Sequence, residues 1–328
     1  MHNKIPKVAF IIVCWNNKDL LKECLDSIRD QTYNNYSIIL VDNGSVDDSV
    51  AFVSSHMPSV NIIEAKKNLG FAKGNNLGIE AALADKDVQY VALLNTDARI
   101  SKDWLEQLVK FAEVKLKAAC LQGTTLDYYN HEIIDSTHIF IARNGQGTQG
   151  SWRNIYEREF GPKKVFGVNA AACIITRRFI DHQPFKGKLF DETMFMYLED
   201  VDLAARATVM GWDNYLVPGV SAYHMGSASS GKNPGFSLYM TFRNNSGLLF
   251  KNLPILMIIK LLPNLIRGDI DTIKALRLQG KDYAVRKVIN GRFIGIIRLP
   301  LYLVKRYSVR KVANIPKEYL WRLMDKGF

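Results

Sequence analysis

The chain has 328 residues, more than the roughly 250 to 300 at which one core stops growing, so we expect one catalytic domain with an extension. The net charge is +11, but residues 251–328 contain 17 Lys and Arg against 5 Asp and Glu, which leaves 26 against 27 for residues 1–250. The near-neutral body carries no aromatic-rich RNA-binding motif and no zinc-ligand spacing, which argues against a nucleic-acid-binding module. The four cysteines lack CxxC spacing and the apolar run at 8–13 is too short for a signal peptide, so we expect a cytoplasmic protein with reduced thiols.

Short apolar runs alternate with amphipathic segments over the first hundred residues, which is typical of βα units on a mostly parallel sheet. The predicted strands are residues 8–13, 37–41, 60–64 and 89–94. Each predicted strand is followed by a polar cluster. Because ligands bind at the carboxyl ends of the strands in open α/β sheets, we expect the four clusters to converge.

The middle of the chain is less regular. Residues 145–151 (GQGTQGS) are expected to form a mobile loop, and residues 166–176 show a strand pattern broken by small residues. A helix with an acidic start is predicted over 199–210, in which Asp202 and Arg206 are expected to form a surface or hinge pair.

Asp97 directly follows the fourth predicted strand, where its carboxylate could hold a divalent cation that neutralises a diphosphate leaving group, with Asn95 as a second oxygen donor. The alternative is that residues 95–97 cap a helix beginning near Ser101. The turn at 42–45 (DNGS) has a similar alternative as an ordinary turn, but the repetition of polar clusters favours ligand binding.

Two further features could carry chemistry. Glu199 and Asp200 open a helix, where the dipole favours an ionised carboxylate that can act as a base; the alternative is simple charge complementarity. A lone histidine such as His224 is either a metal ligand or a hydrogen-bonded core residue. The glycines in 68–76 (NLGFAKGNN) lack the GxGxxG spacing, which disfavours hydride transfer with a dinucleotide.

Taken together, these segments resemble family 2 glycosyltransferases of the GT-A fold, closest to the bacterial rhamnosyltransferase-like branch. The resemblance covers about residues 6–245 and rests on five motifs in order: VxFIIVxWN, ILVDNGSxD, NLGFAxGNN, LLNTD and FMYxEDxDLxxR. It implies an α/β fold with a mostly parallel nucleotide-binding sheet flanked by helices, with a donor half at about 1–100 and an acceptor half at about 101–250. Beyond it, the long apolar stretches with interspersed Lys and Arg predict a C-terminal helical extension, a basic amphipathic helical tail at 251–328.

The resemblance also implies roles for individual residues. In the family's DxD motif, which binds the metal diphosphate, Asn95 replaces the first aspartate, while Asp97 and His224 would hold Mg²⁺ or Mn²⁺. The implied catalytic base is Asp200, with Glu199 beside it. The implied donor-binding residues are Trp15, Asn17, Asp42, Asn43, Gly70, Phe71, Lys73, Asn75, Asn95, Thr96, Asp97 and Arg243. The implied acceptor-binding residues are Ala171, Ala172 and Trp212.

The implied activity is an inverting transfer, with L-rhamnose from dTDP-rhamnose as the first expectation, and UDP-GlcNAc, UDP-galactose or GDP-mannose as the donors to consider next. The expected acceptor is a glycan, carried on a polyprenyl diphosphate during synthesis of cell-surface polysaccharide. The basic tail is expected to bind the inner face of the cytoplasmic membrane without crossing it, although a helical cap or a homo-oligomer contact would also suit it. Two rival classes are a non-catalytic nucleotide-sugar-binding protein, which Asp200 disfavours, and a nucleotidyltransferase, which the absence of glycine at residues 14–17 disfavours.

Overall fold

The computed structural model describes residues 5–157, 161–185, 187–226 and 234–315. Its strands are β1 (Lys7–Cys14), β2 (Tyr36–Asp42), β3 (Asn61–Glu64), β4 (Val88–Leu94), β5 (Ala98–Ile100), β6 (Ala118–Asp127), β7 (Ile134–Ser136), β8 (His138–Ile141), β9 (Gly147–Gly150), β10 (Lys163–Val165), β11 (Ala172–Thr176) and β12 (Asp213–His224). Its helices are α1 (Lys18–Arg29), α2 (Ser49–His56), α3 (Gly70–Leu83), α4 (Trp104–Glu113), α5 (Arg177–Asp181), α6 (Glu199–Val209), α7 (Pro234–Asn252), α8 (Ile255–Leu278), α9 (Asp282–Ile297) and α10 (Leu299–Lys311).

One large sheet organises the molecule, in the order β10-β12-β6-β11-β4-β1-β2-β3, with β5 added to β12 and β7 to β6. The β4-β1-β2-β3 part is entirely parallel, as its βα units predict. Strand β11 is antiparallel to both its neighbours, and β12 is parallel to β6, so the sheet becomes mixed beyond β4. Strands β8 and β9 form a separate hairpin. The predicted α/β architecture with a C-terminal helical extension is therefore confirmed.

Two apolar layers cover the two faces of the sheet. Alternate residues of β1 divide between them, with Phe10 in the layer under α1 and α4 and Ile11 in the layer under α3. Helix α3 lies very close to β1, since a β-carbon at Gly78 would stand 2.6 Å from the Cγ2 of Ile11 and one at Gly74 2.9 Å from Val13. The glycines spaced by four thus let the helix that follows Asn68 approach the sheet.

A third core joins the C-terminal helices to α6. It contains Val201 and Ala205 of α6, Leu248 of α7, Leu261 of α8 and Val309 of α10. The predicted division at residue 250 falls in the last turn of α7, whose end is held by α10. Arg306 donates to the carbonyls of Phe250 and Leu253, and Arg310 Nη2 donates to that of Asn252 at 2.6 Å.

Asp202 and Arg206 are fully buried, so the prediction that they form a surface or hinge pair is wrong. Arg206 Nε lies 3.1 Å from Asp202 Oδ2, and Lys251 Nζ of α7 lies 2.8 Å from Asp202 Oδ1. Lys251 Nζ also lies 2.6 Å from Asp191, which Lys305 of α10 contacts as well. Burial alone would raise the pKa of Asp191, but Lys251 and Lys305 hold it well below its ordinary value. A buried charge network therefore links α6, α7 and α10.

Two local predictions also need correction. Residues 147–150 form β9 instead of a mobile loop, paired residue by residue with β8. Helix α4 begins at Trp104 and strand β5 separates it from Asp97, so residues 95–97 do not cap it.

The longest C-terminal helix, α8, contains Pro263. Within the four described ranges, no helix combines the length and the apolar character that crossing a bilayer requires.

Candidate active site

A cleft of about 560 Å³ opens at the carboxyl ends of β1 and β4. Its walls also include the β8–β9 hairpin and the first residues of α6. The structure brings eleven of the sequence-predicted site residues to this cleft: Trp15, Asn17, Asn43, Phe71, Asn95, Thr96, Asp97, Ala171, Glu199, Asp200 and His224. They come from segments spread over two hundred residues, and the sheet topology makes them neighbours.

The loops after β1 and β4 are tied together beside the cleft. Asn17 Nδ2 donates to Thr96 Oγ1 at 3.0 Å. Asn16 has a φ of 54°, in the left-handed region that asparagine tolerates better than most residues. Its Oδ1 accepts from the backbone N–H of Val46 at 2.7 Å, which fixes the loop against the turn after β2.

Asn43 orders the loop before α3. Its Oδ1 accepts from the backbone N–H of Leu69 at 2.9 Å, and its Nδ2 donates to the carbonyl of Gly70 at 3.2 Å. Gly70 has a φ of 78°, and a β-carbon there would lie 2.5 Å from the carbonyl oxygen of Phe195. Only glycine therefore fits where this loop meets the segment that leads into α6.

A charged triad stands at one side of the cleft. His224 Nδ1 lies 3.0 Å from Asp135 Oδ2 of β7, and its Nε2 lies 3.4 Å from Asp97 Oδ1. Burial alone would lower the pKa of His224, but the two carboxylates raise it to about 10. Within the part of the chain that the structure describes, no group of three or more His, Cys, Asp and Glu side chains is arranged to hold a metal ion. A cation here would therefore rely on Asp97 and His224 together with ligands from a bound diphosphate.

Glu199 and Asp200 begin α6 and face the cleft without a basic partner among the described residues that contact them. Burial raises the pKa of Asp200 to about 6, against hydrogen bonds such as that from the backbone N–H of Val201, at 2.7 Å from Asp200 Oδ1. Burial and the neighbouring Asp200 hold the pKa of Glu199 well above its ordinary value. At neutral pH this arrangement leaves Asp200 as the ionised member of the pair, the state that a general base requires.

The structure does not bring the other predicted residues to the cleft wall. Asp42 and Gly70 lie just behind it, where Asp42 Oδ1 accepts from the N–H of Ser45 at 3.2 Å. Lys73 is exposed on α3, and Asn75 Nδ2 donates to the carbonyl of Phe71 at 2.9 Å.

Three more predicted residues make their contacts away from the cleft wall: Arg243, Ala172 and Trp212. Arg243 Nη2 donates to the carbonyl of Met194 at 2.7 Å, in the segment that leads into α6. Ala172 is buried in the core layer under α1 and α4. The ring of Trp212 packs on Phe179 and His182, with centroids 5.6 Å and 5.5 Å away.

Sequence reasoning missed several residues near the cleft, and four of them stand out. Gln149 and Trp152 line it from the hairpin region, and Asn169 lines it beside Ala171. Asp135, the partner of His224, comes from a three-residue strand. Trp152 was recognisable only as an isolated aromatic residue after a glycine-rich segment, and the other three are single polar residues without a motif.

The fold and the cleft define a class of protein, and comparison with known families gives the same answer. The family model described as glycosyl transferase family 2 matches residues 9–183, more than half of the chain. The protein therefore belongs to glycosyl transferase family 2.

Particular relatives support the assignment. The N-acetylglucosaminyl-diphospho-decaprenol L-rhamnosyltransferase of Mycobacterium tuberculosis (strain H37Rv) is 26% identical over 73% of this chain and 81% of its own length. The amylovoran biosynthesis glycosyltransferase AmsB of Erwinia amylovora is 26% identical over 97% of this chain and 95% of its own length. The chain spans only 25%, 30% and 64% of three other relatives, from Sinorhizobium fredii, Bacillus subtilis and Streptococcus pneumoniae.

A solved structure shares the fold. The crystal structure of GalNAc-T7 with UDP, GalNAc and Mn²⁺ matches 76% of this chain and 48% of that chain, with a TM-score of 0.61 and 15% sequence identity. This likeness concerns the fold alone, and it confirms the predicted GT-A type of architecture.

Proposed function

We propose that the protein is an inverting glycosyltransferase that moves a sugar from a nucleotide diphosphate donor to a sugar acceptor. The observation that carries the proposal is that Asp97 and Asp200 line the same cleft. Asp97 follows a sheet strand, and Asp200 lies at the start of a helix, where none of the described residues that contact it is basic. Membership of glycosyl transferase family 2 supports it.

The donor's nucleotide would bind over the carboxyl ends of the parallel strands, where Trp15, Asn17 and Asn43 line the cleft. Phe71, Asn95 and Thr96 would line the rest of the donor site. The remaining predicted donor-binding residues would support the donor site only from positions outside the cleft wall: Asp42, Gly70, Lys73, Asn75 and Arg243.

In the proposed reaction Asp200 removes the proton of the acceptor hydroxyl. The oxygen then bonds to the anomeric carbon from the face opposite the leaving nucleoside diphosphate, the bond to that leaving group breaks, and the configuration inverts. Burial and Asp200 raise the pKa of Glu199 well above its ordinary value, which would lessen the negative charge beside the developing nucleophile.

We propose Asp97 and His224 as the ligands of a Mg²⁺ or Mn²⁺ ion. The fit rests on Asp135, which lies 3.0 Å from His224 Nδ1 and would hold the imidazole so that Nε2, once a cation has displaced its proton, faces that cation beside Asp97. When bound, the cation would offset the charge of the diphosphate. With Asn95 in place of a first aspartate, the protein supplies few ligands, an arrangement typical of cations that also bind substrate phosphates.

For the substrates we propose L-rhamnose from dTDP-rhamnose and an acceptor on a polyprenyl diphosphate. The support is the name of the mycobacterial relative, a rhamnosyltransferase acting on a diphospho-decaprenol-linked sugar, and that of the Erwinia relative in polysaccharide synthesis.

A panel of dTDP-rhamnose, UDP-GlcNAc, UDP-galactose and GDP-mannose tests this proposal. Calorimetric titration with Mn²⁺ should detect one preferred donor for the wild-type protein and no metal-dependent binding for Asp97→Ala. Equal binding by that variant would overturn the metal assignment, and the absence of binding from the whole panel would overturn the proposed donor class.

We also propose that the C-terminal helices dock on the cytoplasmic face of an anionic membrane. Exposed apolar residues form a stripe along α8 at helical spacing: Ile255, Ile259, Leu262, Ile266 and Ile270. Exposed basic residues lie among them, including Lys260 and Arg267, and each basic residue near anionic lipid contributes about 1 kcal/mol. The opposite side of α8 packs on the body through Met257, Leu261 and Leu265, so the helix serves as a cap and still offers an outer face.

Vesicle flotation tests the docking. The full chain should float with phosphatidylglycerol vesicles at low salt and stay behind with phosphatidylcholine vesicles. Replacing Ile259, Leu262 and Ile266 with Gln should abolish flotation, whereas Gln at Val114 and Leu116, which are even more exposed, should not. Flotation of the α8 variant, or failure of the wild type to float, would overturn the proposal. Truncation at residue 250 is unsuitable because it removes Lys251 and Asn252 from the core.

A further inference from the structure

Trp152 has an unusual position for a large apolar side chain. It follows β9 by two residues, lines the cleft, and is 57% exposed. The other cleft-lining residue with a large exposed apolar side chain among those described is Trp15, at 42%. Trp15 follows β1 in the donor half, so the two indole rings enter the cleft from the two halves of the chain.

The backbone around Trp152 is strained and firmly held. Ser151 and Arg153 have φ values of 57° and 63°, in the left-handed region that costs a residue other than glycine about 1 kcal/mol or more. The N–H of Arg153 donates to the carbonyl of Ile134 at 2.8 Å, and that of Asn154 donates to the carbonyl of Ser151 at 3.0 Å. The backbone strain on both sides of Trp152 destabilises the fold, and the hydrogen bonds of the segment hold it in the conformation that exposes this tryptophan.

The tryptophan is also held through its neighbour. Arg153 Nη1 lies 3.1 Å from Asp127 Oδ2, which anchors the guanidinium at the end of β6. That guanidinium lies over the indole of Trp152, 5.6 Å from the ring centroid, at a distance suited to a cation–π contact. The side chain is thus oriented by a charged group that is itself fixed to the sheet.

The segment is close to the proposed base. Gly147, at the start of β9, packs so tightly on α6 that a β-carbon there would lie 2.7 Å from Leu198 and 3.1 Å from Val201, the residues on either side of Glu199 and Asp200. Gln149 and Thr148 of β9 line the cleft between this contact and the tryptophan.

We propose that Trp152 is the stacking platform for the sugar ring of the acceptor, an inference that rests on the proposed function. A hexopyranose has a face of C–H groups that suits an indole ring, and its hydroxyls suit polar side chains at the ring edge, here Gln149 and Thr148. The acceptor site is accordingly built by the β8–β9 hairpin and the turn that follows it. Trp212, which is partly buried against Phe179 and does not line the cleft, has no part in it.

The test compares Trp152→Ala and Trp152→Phe with two matched aromatic variants. Tyr129→Ala removes a 78%-exposed ring outside the cleft, and Trp15→Ala removes the ring on the donor side. For each, the donor Kd, the rate of donor hydrolysis by water and the KM for octyl glycosides of N-acetylglucosamine, glucose and galactose would be measured. Thermal melting verifies that each variant is folded.

Trp152→Ala should raise the KM for the preferred octyl glycoside about tenfold, the scale of one aromatic stacking contact, while the donor Kd and the hydrolysis rate stay unchanged. Trp152→Phe should recover most of the loss, and Tyr129→Ala should have no effect. An unchanged acceptor KM in Trp152→Ala, with normal donor hydrolysis, would overturn the platform alone. If the wild type neither binds nor hydrolyses any donor, the proposed function fails and the platform with it.

Discussion

Asp200 and Asp202 lie two residues apart at the start of α6, yet their surroundings are opposite. Asp200 faces the cleft, where burial raises its pKa to about 6 and none of its contacts in the described part of the chain is cationic. Asp202 faces the interior, where Arg206, Lys251 and Asn252 all contact its carboxylate. One turn of helix thus carries the carboxylate that we propose as the base and another that is tied into the interior. The difference teaches that stability and the proposed activity should be separable by mutation, because the contacts that the structure describes for the two carboxylates are different.

The largest expected effect is on stability. Lys251→Met keeps the aliphatic stem and removes the charge that Asp191 and Asp202 share. Removing one member of a buried ion pair costs about 3 to 5 kcal/mol, and we expect about 3 because Lys305 and Arg206 remain. Urea unfolding measures the loss. The control is Lys7→Met, whose exposed pair with Asp85 spans 2.8 Å and should matter by less than about 1 kcal/mol. Equal small losses in both variants would show that the buried network is not what secures α6.

The next effect is on turnover. Asp200→Asn should lower kcat by at least about a hundredfold, the usual scale of a positioned general base, and leave the donor Kd nearly unchanged. Its free energy of unfolding at pH 8 should equal or exceed that of the wild type, since the substitution removes a charge that burial disfavours. Steady-state kinetics and urea unfolding measure the two quantities. A variant that keeps more than about a tenth of the rate would move the role of base to Glu199.

The smallest effect comes from pH. The base acts only when ionised, so kcat/KM should fall about tenfold per unit as the pH drops below about 6, the pKa of Asp200. Because that pKa is raised from 3.8 by folding, ionisation also weakens the fold as the pH rises from 3.8 to about 6. The stability advantage of Asp200→Asn should therefore appear over this interval and stay constant above it. A pH-independent difference between the two proteins would contradict the assignment of the raised pKa to Asp200.

The sequence predicts well what depends on local pattern. The strands before Asp42 and Asp97 are apolar runs of the right length, and the rule that parallel strands share one ligand-binding edge places their polar ends in one cleft. The acidic start of α6 is predicted as well, because acidic residues at a helix N-terminus form a local sequence pattern.

What the sequence does not predict depends on partners far along the chain. Asp202 and Arg206 have the spacing of an ordinary surface pair, and only Lys251 and Asn252, from another helix, explain their burial. Trp152 and Trp212 are equally isolated aromatic residues in sequence. Tertiary packing alone places Trp152 at the cleft and Trp212, partly buried, against the core layer under α3.

The contacts of α10 with the end of α7 bear on how the protein is made. The carbonyls of Phe250, Asn252 and Leu253 receive side-chain hydrogen bonds from Arg306 and Arg310. During synthesis on the ribosome α7 emerges well before α10, so the last turn of α7 and the ion pair of Asp191 with Lys305 stay incomplete until residue 310 has left the exit tunnel. A nascent chain paused before that point would hold its strands and its cleft residues but no finished interior beneath α6. Domains fold as units during synthesis, and the interior of this one is completed only when α10 has emerged.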